Sequence, residues 1–188
     1  MRHKYQTRAI VVARHPFGEA ATLLILLTDH LGLLSVRAAG LRKSQSKLAH
    51  ALQTLSESDL MLVRGKEGWR LVGAILVTPH AQGLEKAGRT RAARLADLTL
   101  RLIKGEAPDT EVFKTYAGFV QALPTLSEDL AEAAECLAAL RVLRALGFDA
   151  GTELGESSEY DRDTLLMASM SRDDLISRVN RGIAASGL

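Results

Sequence analysis

The chain has 188 residues, 47% hydrophobic and 24% charged, with a formal net charge of +2, enough apolar material for one large or two small packed domains. No run approaches the ~18 consecutive apolar residues of a membrane-spanning helix. No apolar stretch with a small-residue cleavage site follows Arg2, His3 and Lys4 as it would in a secretory leader, so a cytoplasmic protein is expected. Cys136 is the single cysteine, which excludes an intramolecular disulfide and a cysteine-rich zinc site.

The first part of the chain reads as strands. Arg8–Arg14 (RAIVVAR), Ala21–Thr28 (ATLLILLT) and Leu33–Gly40 (LLSVRAAG) come first. Ser58–Gly65 (SDLMLVRG) and Gly68–Thr78 (GWRLVGAILVT) follow. Pro16 with Gly18, then Asp29–Gly32, separate the first three, and Gly65–Gly68 (GKEG) predicts a hairpin between the last two. Five strands with short turns predict a small barrel, in which closure removes most free strand edges. The longest connection, Leu41 to about Gln53, supports either a short helix or a loop.

After Pro79 the apolar period changes from two to three or four residues. Leu84, Ala87, Arg91, Leu95, Leu98 and Leu102 predict one helix, ended by Gly105 and Pro108. Asp109 is a cap for a second, with Val112, Phe113, Tyr116, Val120 and Leu123 facing inward and Pro124 stopping it. Ser127 caps a third, with Glu128 and Asp129 at its positive end and Gly147 at its close. Gly151–Asp163 (GTELGESSEYDRD) reads as a polar loop and Leu165–Met170 as a short apolar piece. Ser171 with Asp174 then reads as a capping box for a last helix through Leu175, Ile176, Val179 and Ile183. The expected organisation is a β-barrel over residues 1–80 and an all-α domain over 81–188.

The residues give little sign of catalysis. There is no phosphate-cradling GxxxxGK[ST], no GxGxxG between strand and helix, and no HExxH. The five histidines are scattered and read as surface or loop residues. Cys136 falls on the expected core face of its helix and reads as an inert thiol. No catalytic residue, metal ligand or cofactor is assigned.

Binding is better supported. Residues 1–80 carry 11 Lys/Arg against 5 Asp/Glu, a net +6, and residues 81–188 carry 13 against 17, a net −4. An ordinary solvated surface could carry the same excess. Gathered on one groove of a barrel, however, Arg14, Arg37, Arg42, Lys43 and Lys47, with Arg2, Lys4 and Arg8 ahead of them, would neutralise phosphates and release counterions, and Ser44 would add a hydrogen bond. Aromatic residues are only 4% of the chain, so base stacking should contribute little and the grip should be electrostatic.

The order of the motifs IVV, PFGEA, LLT…LG, AAGLRKSQSKL and LVRGKEGWRL through residue 78 resembles the start of the RecO family of bacterial recombination mediators. The LRALGF ending of the third helix agrees. The resemblance implies an OB-fold N-terminal domain and a helical domain behind it, hence an α+β, multi-domain chain. It implies a non-enzymatic, nucleoid-associated role in DNA repair and homologous recombination. The implied protein binds single- and double-stranded DNA, anneals strands, engages single-strand-binding protein, and with RecR loads RecA. By position, Arg42, Lys43, Ser44 and Lys47 fall in the family's basic DNA-contacting loop, with Arg14 and Arg37 as neighbours on charge. Arg141, Arg144 and Arg178 are candidates for holding the acidic, apolar-ended tail of single-strand-binding protein. Several family members carry a four-cysteine zinc module after the LGF helix; this chain has DAGTELGESSEYDRD there, so no zinc is expected. An RNA-binding OB module and a protein-interaction scaffold are the competing readings.

Overall fold

In a computed structural model, residues 3–19, 21–41, 47–103, 105–152, 154–156 and 158–188 are described. They form two compact units, one of residues 1–82 with 105–110 and one of residues 83–104 with 111–188.

The first unit is a closed five-stranded barrel in the order β1-β2-β3-β5-β4, with β4 returning to β1. Its strands are β1 (Lys4–Phe17), β2 (Ala21–Thr28), β3 (Leu33–Ala39), β4 (Ser56–Gly65) and β5 (Gly68–Pro79). The expected α+β class with an N-terminal five-stranded barrel is what the chain adopts. One difference is the length of β1, which begins at Lys4 rather than Arg8. Its first half, Lys4 to Ile10, pairs with β4, and Ala9 to Phe17 pairs with β2. The register shifts between Val11 and Ala13. An extra residue there bends the strand, so one segment can close the barrel on two sides.

Alternation decides what enters the barrel. Val11, Leu24, Leu26, Leu34, Val36, Leu60, Leu62 and Trp69 form its core, and strand alternation turns Ser35, Arg37, Met61 and Arg70 beside them to the other face. A short helix, α1 (Lys47–Ala51), adds Ala51 to the same core and the next residue adds Leu52, and the Ser58 hydroxyl donates to Ala51 O at 2.6 Å. Leu55 adopts φ +65°, unusual for a branched residue. It is held there by donating to Val11 O (2.8 Å) and accepting from His80 N (3.1 Å).

The segment Gly105–Thr110 lies along this barrel. The Trp69 indole donates to Glu106 Oε1 at 3.0 Å, Arg64 pairs with Glu106 at 3.1 Å, and Thr110 Oγ1 donates to Asp29 O at 3.0 Å. Gly32, at φ +77°, leaves room for that segment: a Cβ there would stand 2.5 Å from Ala107 O.

The second unit is helical: α2 (Lys86–Leu102), α3 (Thr110–Ala122), α4 (Glu128–Ala145), α5 (Arg162–Met170) and α6 (Arg172–Ser186). A 3-10 turn, Leu123–Thr125, follows α3 and contains Pro124. α4 is buried on several sides, through Ala131, Ala133, Ala134, Leu137, Ala138, Leu140, Val142 and Leu143, because α2, α5 and α6 all pack on it. Its alanines let those helices approach closely. Two cap expectations need correction. Ser127 and Ser171 precede α4 and α6 but make no side-chain cap bond. Ser171 is also the C-cap of α5, at φ −102°, ψ 19°, so the capping box with Asp174 does not form. The side-chain cap of α5 is Asp161, which accepts from Asp163 N and Thr164 N.

Candidate nucleic-acid interface

The barrel's register builds one row across its outer face. Lys4 pairs with Val63, Val63 with Arg70, Arg70 with Arg37, Arg37 with Leu23, and Leu23 with His15. Trp69, Val36 and Leu24, the chain neighbours of Arg70, Arg37 and Leu23, lie in the core. The row therefore points away from it. Lys4, Arg70 and His15 are exposed, and Arg37 is half-buried. Adjacent strands place such neighbours about 4.8 Å apart.

Arg37 is the meeting point of three segments. Its guanidinium lies 4.8 Å from the ring centroid of Phe17, at the end of β1 before the turn into β2. Its Nη1 donates to Glu67 Oε2 at 2.9 Å, on the two-residue turn of the β4–β5 hairpin, which Gly65 and Gly68 close. That hairpin frames a cleft of about 520 Å³ whose walls include Arg64, Lys66, Glu67 and Arg70. Among the described residues Arg70, Lys66 and Lys4 carry no ion pair. Arg8 differs: it is bound to Asp59 at 3.0 Å and lies 3.8 Å from Glu57. In barrels of this topology, the strand 2–3 face with the 1–2 and 4–5 loops is where oligonucleotides and oligosaccharides bind.

The candidate residues divide. Arg37 sits at the centre of this constellation. Arg14 is one residue out of step: it pairs with Leu24 and its Nη1 donates to Gln53 Oε1 at 2.8 Å. Lys47 opens α1. Arg2, Arg42, Lys43 and Ser44 lie outside the described residues. Sequence reasoning passed over Arg64, Lys66 and Arg70. The signal was RGKEGWR, a hairpin with a cation on each flank and one in its turn.

Arg141, Arg144 and Arg178 belong to the helical unit and hold its connector in place. Arg141 is 3% exposed. It donates to Glu159 O (2.6 Å) and Leu154 O (2.5 Å) and stacks on Tyr160 at 4.8 Å. Arg144 donates to Gly151 O. Arg178 pairs with Asp149 at 2.6 Å and donates to Thr152 O at 3.2 Å. All three guanidinium groups bind the segment between α4 and α5.

Two smaller expectations are corrected. Cys136 is half-buried rather than on the core face. Burial, then Glu135 and Glu132, push its thiol up and keep it protonated. His80 is not a surface residue: it is 5% exposed and shares a 2.9 Å hydrogen bond with Glu57 Oε2. Among the described residues no helix is long and apolar enough to cross a membrane, and no group of three His, Cys, Asp or Glu side chains could hold a metal ion.

The family described as "Recombination protein O N terminal" matches residues 1–78. The DNA repair protein RecO of Heliobacterium modesticaldum is 32% identical over 145 residues, 77% of this chain and 52% of that protein. That of Synechococcus elongatus is 36% identical over 114 residues, 60% of this chain and 43% of that protein. That of Dehalococcoides mccartyi is 44% identical over 64 residues, 34% of this chain and 25% of that protein. The chain thus spans between a quarter and about half of the length of these relatives.

Proposed function

This chain belongs to the RecO family through its N-terminal barrel, and from that premise we propose that it is a DNA repair and homologous-recombination protein that binds single- and double-stranded DNA along the row centred on Arg37. The observation that carries the proposal is the convergence at Arg37 of β3, the end of β1 and the β4–β5 hairpin. Arg70 and Lys66 stand beside it with their charges unopposed among the described residues. The proposed DNA-binding set also takes in Arg42, Lys43, Ser44 and Lys47, which follow β3 in the sequence, and Arg14, whose Nη1 donates to Gln53 Oε1. This division into barrel and helical domain near residue 80 assigns the DNA contacts to the barrel.

Such a surface promotes annealing without bond chemistry. Two strands repel through their phosphates. Cations that pair with those phosphates lower the barrier and release counterions. Phosphate contacts position the strands without reading sequence, and they leave base edges free to pair. With RecR, the protein loads RecA onto DNA coated with single-strand-binding protein. Arg141, Arg144 and Arg178 enter the docking of that protein's acidic tail through the connector whose shape they hold.

The test is annealing of complementary strands in the presence of single-strand-binding protein, comparing wild type with Arg42→Glu/Lys43→Glu. Wild type is expected to accelerate annealing, the double variant to lose at least about tenfold, and both to slow as salt rises. Equal rates for the two proteins would remove the loop from the interface. A preference for RNA over DNA of equal length would replace the reading with an RNA-binding one, through 2′-hydroxyl contacts.

A further inference from the structure

Glu67 is an acid in the middle of the cationic hairpin. Its side chain is 82% exposed, so burial does not fix its position. Among the described residues its one ion pair is with Arg37, 30 positions away in sequence, at 2.9 Å. Gly65 and Gly68, paired across the two-residue turn, put Lys66 and Glu67 at the tip. From there the carboxylate crosses from the β4–β5 hairpin to β3. The guanidinium that it reaches is oriented by Phe17, and it shares its strand register with Arg70. A carboxylate and a phosphate oxygen make the same charge-assisted contact with a guanidinium. Glu67 therefore occupies the position on Arg37 that a backbone phosphate would take.

We infer that Glu67 is a displaceable internal anion, a latch that closes the hairpin onto Arg37 in the free protein and is exchanged for a nucleic-acid phosphate on binding. The inference rests on the DNA-binding reading above and adds a regulatory element to that site. An exposed ion pair is weak enough to be given up, so the latch lowers affinity modestly rather than closing the site. It favours long polyanions over single small ones, because Arg70 and Lys66 can engage first and offset the loss of the Arg37–Glu67 pair. It also changes the ion count: when a phosphate takes Arg37, the freed Glu67 carboxylate draws a cation back from solution. Wild type should release about one counterion fewer than a protein without the latch.

The experiment is fluorescence anisotropy with a labelled oligothymidylate of about 20 nucleotides, longer than the ~4–16 that one such barrel covers. It is run over a salt series for wild type, Glu67→Gln, Arg37→Gln and the double variant. The expected result is that Glu67→Gln tightens binding about threefold at low salt and steepens the log–log salt slope by about 0.7, and that the same change in the Arg37→Gln background does nothing. Equal tightening in both backgrounds would mean that Glu67 acts only as a diffuse negative charge, and the latch is then wrong. The same holds if wild type binds and Glu67→Gln binds identically. If none of the four proteins binds, the DNA-binding reading itself falls, an outcome distinct from the others.

Discussion

At the scale of single residues, what separates a binding cation from a structural one is the company it keeps. Arg8, Arg37 and Arg70 all lie on barrel strands. Arg8 already has a carboxylate, its hydrogen bond to Asp59 being the largest of the effects that raise its pKa, so it has little left to offer a phosphate. Arg70 has no such partner among the described residues, and Arg37 has one that solvent reaches easily. Composition could not tell these apart, because all three count equally toward the +6 of residues 1–80. Glycines divide in the same way. Gly32 combines φ +77° with a position where a Cβ would meet Ala107 O at 2.5 Å. Gly32→Ala is therefore expected to destabilise the barrel unit by at least ~2 kcal/mol, the left-handed conformation alone costing about 1–2 kcal/mol. Urea unfolding followed through Trp69, the sole tryptophan, measures it, and a change no larger than the ~1 kcal/mol of the left-handed conformation alone would show that the Gly105–Thr110 segment moves aside freely.

At the scale of elements, most of the secondary structure was legible and the exceptions have identifiable causes. The strands from β2 to β5 and the GKEG hairpin followed from alternation and turn residues. The first residues of β1 did not, since Lys4 to Thr7 is largely polar and becomes strand by pairing with β4. Helices α2 to α4 followed from the apolar period. The stretch Gly151–Asp163 reads as a polar loop, and its last two residues instead open α5; sequence could not reveal that Arg141, Arg144 and Arg178 would bind carbonyls of this connector. Those carbonyls lie up to 26 positions from the arginine that binds them. Arg178 and Asp149 are a nearly buried pair, with side chains 10% and 9% exposed. The Arg178 hydrogen bond holds the Asp149 carboxyl below the usual carboxylate range. A carboxyl depressed in the folded state stabilises fully above its unfolded pKa of about 3.9, and that contribution drains away as pH falls through the folded value. Arg178→Met, which strands Asp149, is expected to cost about 3–5 kcal/mol at neutral pH. The gap from wild type should narrow as pH falls below about 4. Urea midpoints at several pH values check this, and a gap independent of pH would assign the loss to packing alone.

At the scale of the whole molecule, the chain separates its charges: a net +6 over residues 1–80 and a net −4 over residues 81–188. The sequence made that division legible, together with the barrel and the family likeness that runs through residue 78. It did not make legible which cations share a face, because that depends on closure. Only the pairing of β3 with β5 brings Arg37 beside Arg70, across 33 positions of chain, and only the hairpin register puts Lys66 and Glu67 over them. The central claim is that this surface grips polyphosphate by charge. It is tested most directly by the salt dependence of oligonucleotide binding in wild type and in Lys66→Glu/Arg70→Glu, with Arg8→Gln as the control. The account predicts a wild-type affinity that falls steeply with salt, a charge-reversed protein at least about tenfold weaker with a shallower slope, and an Arg8→Gln protein indistinguishable from wild type. Equal affinity and equal slope for wild type and the charge-reversed protein would contradict it.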